Sequence, residues 1–262
     1  MAVQENIAAP AGAAARAFSL VDRGLEIVCS VLMLAAAGIA CLQVFCRYVL
    51  GAALSWPEEV ALWAFGWAVF VGMAVLVGRD GHIAIDVLSR FLPEQVKKGH
   101  KFFVHTVIAA TSMMLILQGV DYSSRIMQAA PSTQWSLKYL FIAAAVGGFL
   151  NLIYLLRPRA GPAWAGIATL VAGVLLYYAV LYGAGQIYGR GASAVVLMIV
   201  GLLLIFLEVP IAFALAFGAF AAFAPRGEMM LMIIPQNMSA SLNSFTLLAI
   251  PFFIMAAAIM NA

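Results

Sequence analysis

The stretch SWPEEVALWAFGWAVFVGMAVLV at residues 55–77 decides the class of fold. Its beginning carries helix-start chemistry, with Ser55 as the N-cap, Pro57 in the first turn and Glu58 at the third helical position. After Glu59 the stretch contains no charge. Because roughly 20 apolar helical residues cross the hydrocarbon core of a bilayer, the stretch predicts a transmembrane helix.

The composition extends this prediction to the whole chain. Of its 262 residues, 65% are hydrophobic and 10% are charged, whereas roughly a quarter of the residues in a soluble domain are charged. We therefore expect an all-α polytopic membrane protein, in which short loops leave no room for a sizeable soluble domain. The net charge of +3 is too small and too scattered to indicate nucleic-acid binding.

Four more apolar runs predict further membrane spans. They are Ile27–Cys46, Phe102–Val120, Tyr139–Leu156 and Trp164–Ile187. The first run, with its basic flank and its alanines, also resembles a cleaved signal peptide. Its apolar core continues to Phe45, beyond the roughly 7–15 residues of a signal core, so an uncleaved first helix is favoured.

A linker divides the chain into two modules. Residues 157–162, Arg-Pro-Arg-Ala-Gly-Pro, form the clearest break in composition. We therefore predict a four-helix module at residues 1–157, a linker and connector helix at 158–191, and a second module at 192–262.

The beginning of the second module is ambiguous in the sequence. At 1.5 Å per residue, Ala192–Ala224 would reach about 50 Å as one helix, which is too long for a single crossing. Glu208-Val209-Pro210 is therefore expected to divide it into two short spans or a broken pair. The last apolar stretch, Phe245–Met260, surrounds Pro251.

Basic residues indicate the orientation. With seven crossings and the N-terminus inside, more basic residues lie inside than outside, as the positive-inside rule requires. The inside residues are Arg16, Arg23, Arg79, Arg90, Lys97, Lys98, Lys101, Arg157 and Arg159, and the outside residues are Lys138, Arg190 and Arg226. Residues 82–92 alternate apolar and polar side chains and predict an interfacial amphipathic helix.

Charged residues near the outer ends of the first two spans predict a contact between helices. A charge at membrane depth costs several kcal/mol unless it is paired. We therefore predict that Arg47 forms an ion pair with Glu58 or Glu59, and that this pair fixes helix docking rather than binding substrate. Trp56, at the start of the second span, is expected to be an interfacial anchor.

Neither catalysis nor a metal site is predicted. Asp80, His82 and Asp86 contain metal-ligand types, but helix caps and loop hydrogen bonds are the favoured roles for such residues at a membrane surface. The three cysteines all lie in one apolar stretch and indicate neither a disulfide nor a metal site. No Ser/His/Asp set, Cys/His pair, P-loop or His-Glu-x-x-His pattern occurs.

A polar segment at residues 236–244 directly precedes the apolar run around Pro251. In transporters, irregular backbone and hydroxyl groups at membrane depth can coordinate small cations where helices are interrupted. From composition alone, an ordinary polar loop that caps a helix at Ser244 is equally compatible with the pattern.

Several motifs resemble one transporter family. The motifs are CRYVLG at 46–51, SWPEE at 55–59 and GHIAID at 81–86, and in order and spacing residues 20–157 resemble the Q-type small subunit of tripartite ATP-independent periplasmic (TRAP) transporters. EVPIAFAL at 208–215 and SFTLLAIPFFI at 244–254 resemble the opening of the large M-type subunit. Together they are similar to a fused QM permease, except that Glu208 stands where a small residue such as glycine is expected.

The resemblance implies secondary active uptake across a bacterial inner membrane, and the basic residues predict that the N-terminus lies in the cytoplasm. A periplasmic binding protein would deliver an organic acid, such as sialic acid or a C4-dicarboxylate, and the M-type part would carry it with sodium by an elevator-like motion. The Q-type part would brace the moving domain and help to dock the binding protein. No cofactor is implied beyond sodium as the coupling ion.

The resemblance also assigns candidate residues and partners. Asn243, Ser244 and Pro251 become candidates for the ion or substrate path. The lipid bilayer and the remainder of an M-type subunit, expected beyond Ala262, are the other implied partners. A non-transporting scaffold that recruits a partner complex is the alternative function, and a membrane enzyme is disfavoured because no intramembrane acid/base or metal cluster occurs.

Overall fold

The structure, a computed structural model, describes residues 13–79, 92–157, 164–187 and 193–261, and these form a helical protein. Apart from a 3-10 turn at Ala224–Arg226 and one isolated bridge between Ala129 and Ser136, the regular structure of these ranges is α-helical. The α-helices are α1 (Ala13–Tyr48), α2 (Trp56–Gly78), α3 (Glu94–Arg125), α4 (Lys138–Leu155), α5 (Trp164–Ile187), α6 (Ser193–Phe206), α7 (Ile211–Phe223), α8 (Glu228–Leu231), α9 (Ile233–Leu242) and α10 (Phe245–Met260).

Five of the described helices, α1 to α5, are long and apolar enough to cross a membrane. Helices α1, α2 and α3 each contain one predicted span, α4 ends one residue before the end of the predicted span Tyr139–Leu156, and α5 has the predicted bounds Trp164–Ile187. The predicted all-α, multi-pass membrane fold is confirmed. The predicted interfacial helix at residues 82–92 and the linker at 157–162 lie almost wholly outside the described residues, and the predicted domain bounds stay predictions.

Helices α1 to α4 form a bundle in which α1 packs on α2, α2 on α4, and α4 on α3. One end of the bundle, here called the Asp22 end, brings together the start of α1 and the ends of α2 and α4. There Arg157 Nη1 lies 2.9 Å from Asp22 Oδ2, and Arg79 forms an ion pair with Glu26. The opposite end, where α2 begins, is called the Glu59 end.

Glycines let the helix backbones approach closely. A β-carbon at Gly147 of α4 would lie 2.8 Å from the Phe70 carbonyl oxygen of α2. One at Gly148 would lie 2.8 Å from the Ser112 carbonyl oxygen of α3. In lipid, helix association depends on such close van der Waals packing, because the surrounding tails are as apolar as the side chains.

The connector helix α5 runs along α3 from the Asp22 end to the Glu59 end. A β-carbon at Gly166 would lie 3.1 Å from the Leu155 carbonyl oxygen at the end of α4. One at Gly173 would lie 2.4 Å from the Ala109 β-carbon of α3. The connector is therefore fixed on the bundle rather than tethered loosely beside it.

Helices α6 and α7 form a short hairpin that turns at residues 207–210. This turn confirms the predicted division at Glu208-Val209-Pro210. The helices have 14 and 13 residues and are thus about 20 Å long, short of the ~30 Å hydrocarbon core. A β-carbon at Gly185 of α5 would lie 3.8 Å from the Pro225 β-carbon, just after α7. The hairpin thus returns to the Glu59 end, which favours the broken pair over two short spans.

The remaining helices lie across the bundle. Met238 and Leu242 of α9 pack against a cluster of Phe70, Ala143 and Ala144 from α2 and α4. In α10, Leu247 and Phe252 pack against a cluster formed by Ala36 of α1 with Ala61, Leu62 and Phe65 of α2. Helix α9 therefore contacts the surface formed by α2 and α4, and α10 contacts the surface formed by α1 and α2.

Replacing Gly173 by leucine should separate α5 from α3. The new side chain would overlap Ala109, and such overpacking costs roughly 1–3 kcal/mol. The matched control is Gly183→Leu on the same helix, because a β-carbon there has nothing within 4 Å. Thermal unfolding in detergent should show a lower midpoint for Gly173→Leu and little change for Gly183→Leu. Equal effects of the two substitutions would contradict the described docking of α5.

Candidate functional site

Glu59 binds the loop between α3 and α4, residues 126–137, here called the Glu59 loop. Its carboxylate accepts hydrogen bonds from the Ser132 N–H at 2.8 Å, the Thr133 N–H at 2.9 Å and the Thr133 hydroxyl at 2.9 Å. Hydrogen bonds to an ionised carboxylate are roughly twice as strong as neutral ones. One side chain in the first turn of α2 therefore fixes a loop more than 70 residues further along the chain.

The Glu59 loop is also held by its own backbone and by an aromatic contact. The Ala130 N–H donates to the Trp135 carbonyl oxygen at 2.8 Å. Gln134 takes the left-handed conformation, with φ 59°. The rings of Trp135 and Trp63 of α2 lie 5.7 Å apart between centroids. Carboxylate, turn and ring contact together give the loop one defined conformation.

The surface of the Glu59 end is partly apolar. Met127 is 96% exposed and Trp135 is 53% exposed, both on the Glu59 loop. Trp56, the first residue of α2, is 40% exposed at the same end of the bundle. These side chains form a surface that a protein partner or lipid headgroups can contact.

The predicted ion pair of Arg47 with Glu58 or Glu59 is not formed between these described residues. Glu59 is instead satisfied by the amides and hydroxyl of the Glu59 loop. Glu58 and Arg47 are exposed, and the Arg47 guanidinium carbon lies 5.9 Å from the ring centroid of its neighbour Tyr48. Backbone N–H groups of the Glu59 loop thus bind the carboxylate that the sequence predicted to pair with Arg47.

The helix start at Trp56 is where the sequence predicts it, but its mechanism differs. Helix α2 begins at Trp56 with Pro57 in its first turn, as expected. The Ser55 side chain makes no capping hydrogen bond, because Ser55 itself has helical φ and ψ angles. The interfacial role of Trp56 stays a prediction.

Two ion pairs that join helices of the bundle lie at the Asp22 end. Asp22 and Glu26 stand one turn apart on α1 and contact Arg157 after α4 and Arg79 after α2. Sequence reasoning used both arginines only for orientation and did not single out the acids. Their spacing of four residues before an apolar run was the available signal.

The predicted polar break separates α9 from α10. Asn243 follows α9, and its N–H donates to the Ser239 carbonyl oxygen at 3.2 Å. Ser244 precedes α10, and its carbonyl oxygen accepts from the Leu247 N–H at 3.1 Å. Pro251 lies inside α10. The structure thus brings Asn243 and Ser244 together at a helix interruption, with Pro251 about two turns further on.

Ser239 adds a hydroxyl near this break that sequence reasoning did not single out. Its side chain is only 1% exposed, and its Oγ has no hydrogen-bond partner within the part of the chain that the structure describes. Over the same ranges, no group of three or more His, Cys, Asp and Glu residues could hold a metal ion. The candidates Asp80, His82 and Asp86 lie outside the described residues.

Comparison with known proteins identifies the bundle. Residues 36–161 match the family model described as "Tripartite ATP-independent periplasmic transporters, DctQ component". Residues 36–161 are a Q-type domain of the TRAP transporter family. The matched range includes α2, α3, α4 and the Glu59 loop, so the site at the Glu59 end belongs to this Q-type domain.

Similarity to fused permeases extends into the second module. The sialic acid TRAP transporter permease protein SiaT of Haemophilus influenzae is 24% identical over 88% of this chain and 40% of its own length. The isethionate TRAP transporter permease protein DctMQ of Oleidesulfovibrio alaskensis is 28% identical over 80% of this chain and 34% of its own. The predicted fusion of a Q-type domain to the opening of an M-type subunit is confirmed.

A small-subunit relative is also similar to part of this chain. The C4-dicarboxylate TRAP transporter small permease protein DctQ of Vibrio cholerae is 29% identical over 30% of this chain and 34% of its own length. The chain spans less than half the length of each of the two fused permeases.

Replacing Glu59 by alanine should release the Glu59 loop. Removing the carboxylate deletes three hydrogen bonds, and bonds to a charged group contribute roughly 1.5–3 kcal/mol each. Hydrogen exchange at the Ser132 and Thr133 amides should therefore accelerate at least about tenfold. Glu58→Ala, at the exposed neighbouring position, is the matched control and should leave both amides protected. Unchanged protection of the Ser132 and Thr133 amides in Glu59→Ala would show that the Glu59 carboxylate does not hold the loop.

Proposed function

We propose that the chain is part of a TRAP permease that takes up an organic acid together with sodium. The observation that carries the proposal is the Q-type domain at residues 36–161, joined to a second module that packs across it. The relatives are named for sialic acid, isethionate and C4-dicarboxylates. All three are organic anions, so the proposed substrate class is an anionic organic acid and the proposed activity is transport rather than catalysis.

The Q-type domain supports the second module in this proposal. Helix α9 rests on α2 and α4 through Met238 and Leu242, and α10 rests on α1 and α2. A transport domain that moves needs a rigid surface against which to move, and the glycine-packed bundle supplies one. The remainder of an M-type subunit is the proposed moving partner.

The proposed orientation places the Glu59 end in the periplasm of a bacterial inner membrane. The basic residues favour it, because Arg79, Lys97 and Arg157 all lie at the Asp22 end, which would face the cytoplasm. The Glu59 loop then faces the compartment in which a substrate-binding protein would arrive. Its exposed Met127 and Trp135 would be available for contact with that protein.

The break between α9 and α10 is the proposed contributor to the sodium path. Interrupted helices expose carbonyl oxygens and hydroxyls that can coordinate sodium. Asn243, Ser244 and the buried Ser239 supply such oxygens, and Pro251 removes one backbone donor inside α10. Sodium is the only bound ion that the proposal requires.

Uptake by the complete permease with its binding protein tests the proposal. In proteoliposomes, a sodium gradient should drive accumulation of at least one of labelled sialic acid, isethionate or succinate. Ser244→Ala should raise the sodium concentration for half-maximal uptake about fivefold, which corresponds to roughly 1 kcal/mol of lost ion binding. Ser241→Ala, at an exposed position in α9, is the matched control.

The outcomes distinguish the functions considered. Uptake without sodium dependence would refute sodium coupling. Intact, correctly inserted permease that takes up none of the three compounds under any gradient would favour the non-transporting scaffold. An equal effect of Ser241→Ala and Ser244→Ala would remove Ser244 from the ion path.

A further inference from the structure

The tip of the α6–α7 hairpin contains an ionisable residue in an unusual backbone conformation. Glu208 has φ +57° and is 7% exposed. The left-handed region costs free energy for a residue with a β-carbon, and glycine avoids that cost. Burial of a carboxylate adds a further cost unless a partner compensates. A contact at this position must therefore offset both costs.

His100 of the Q-type domain supplies that contact. Its Nε2 lies 2.9 Å from the Leu207 carbonyl oxygen, and its Nδ1 lies 3.9 Å from Glu208 Oε2. A carbonyl oxygen only accepts, so Nε2 carries a proton and donates it to this bond. The side chains of His100 and Glu208 are 12% and 6% exposed. One buried imidazole thus faces two successive residues of the hairpin tip.

The charged residues that neighbour the hairpin tip belong to α3. Helices α6 and α7 contain no charged residue, and α5, which packs beside them, contains none either. Lys97, Lys98, Lys101 and His105 are the basic residues of α3 within two turns of His100. The charge of Glu208 is therefore met from the Q-type domain rather than from within the hairpin.

Apolar contacts hold the hairpin against α3 and α5 but do not fix its position along the axis of α3, here called its depth. Phe220 stacks on Tyr177 of α5 with the ring centroids 5.0 Å apart, and Phe213 is buried in the same cluster. Apolar packing is non-directional, so it resists sliding along α3 less than a hydrogen bond does. The bond to Leu207 specifies one level on α3.

We propose that His100 is the positioning residue through which the Q-type domain holds the M-type hairpin. It donates the Nε2 proton to the Leu207 carbonyl, and when Nδ1 is protonated as well it attracts the Glu208 carboxylate, so that it stabilises the left-handed turn at one depth along α3. The inference goes beyond the proposed uptake function, since it requires no transport to be observed. It also explains why a glutamate is tolerated where the resemblance leads one to expect glycine.

A double-mutant cycle in the full permease tests this contact. In detergent, His100→Leu and Glu208→Gln should each lower the thermal unfolding midpoint by about 3 °C, a shift typical of one lost interaction. The double variant should lower it by clearly less than the sum, because both changes remove the same contact. His100→Leu combined with Glu59→Gln, a matched change at the opposite end of the bundle, should be additive.

Two further variants separate positioning from simple packing. His100→Gln keeps an amide donor for the Leu207 carbonyl and should therefore unfold at a higher midpoint than His100→Leu. If His100→Leu does not accumulate in the membrane, His100→Gln takes its place in the double-mutant cycle. Glu208→Gly should raise the midpoint in the His100→Leu background, where the imidazole no longer offsets the backbone and burial costs of Glu208, and should not raise it in the wild type.

Three results would overturn the proposal. They are additivity of His100→Leu with Glu208→Gln, an unchanged midpoint in His100→Leu, and equal stabilisation by Glu208→Gly in both backgrounds. Each would mean that the imidazole only fills space beside a turn that is stable without it.

Discussion

Close approach of helix backbones in an apolar environment is the constraint on which the structure depends. Lipid tails compete with every apolar side chain, so helices associate where small residues allow dense packing. Gly147 and Gly148 bring α4 against α2 and α3, and Gly173 brings α5 against α3. A β-carbon at Gly218 of α7 would likewise lie 3.1 Å from the Gly201 nitrogen of α6. Bundle, connector and hairpin are thus joined by the same kind of contact.

Three polar interactions lie where they can define the depth of a helix end or turn. Glu59 holds a loop at one end of the bundle, and the Asp22–Arg157 pair joins α1 to α4 at the other. His100 contacts the hairpin tip between the two modules. Because an unpaired charge is costly in hydrocarbon, each such contact fixes the level of a helix end or turn that apolar packing alone would leave free to slide.

The sequence predicted the helices well because long apolar runs have one favourable structure in a bilayer. Trp164–Ile187 was predicted with its final bounds, and the turn at Glu208 was expected from helix length together with Pro210. The predicted Arg47 pair is not formed, because Glu59 binds backbone amides of the Glu59 loop instead. The spacing of charged residues along two helices does not reveal such donors, which lie more than 70 residues further along the chain. The partners of Asp22 and His100 were missed for the same reason. Partner choice depends on tertiary packing, which a single sequence does not encode as a pattern.

The most direct test of the account is whether the M-type hairpin returns beside the end of the connector helix. The β-carbon positions of Gly185 and Pro225 are 3.8 Å apart, within the range that a disulfide spans. In a background without Cys29, Cys41 and Cys46, the pair Gly185→Cys and Pro225→Cys should oxidise and become protected from maleimide, as measured by intact mass. Gly183→Cys with Pro225→Cys should stay reactive. Reactive thiols in the first pair, in folded protein, would contradict the packing of the two modules described above.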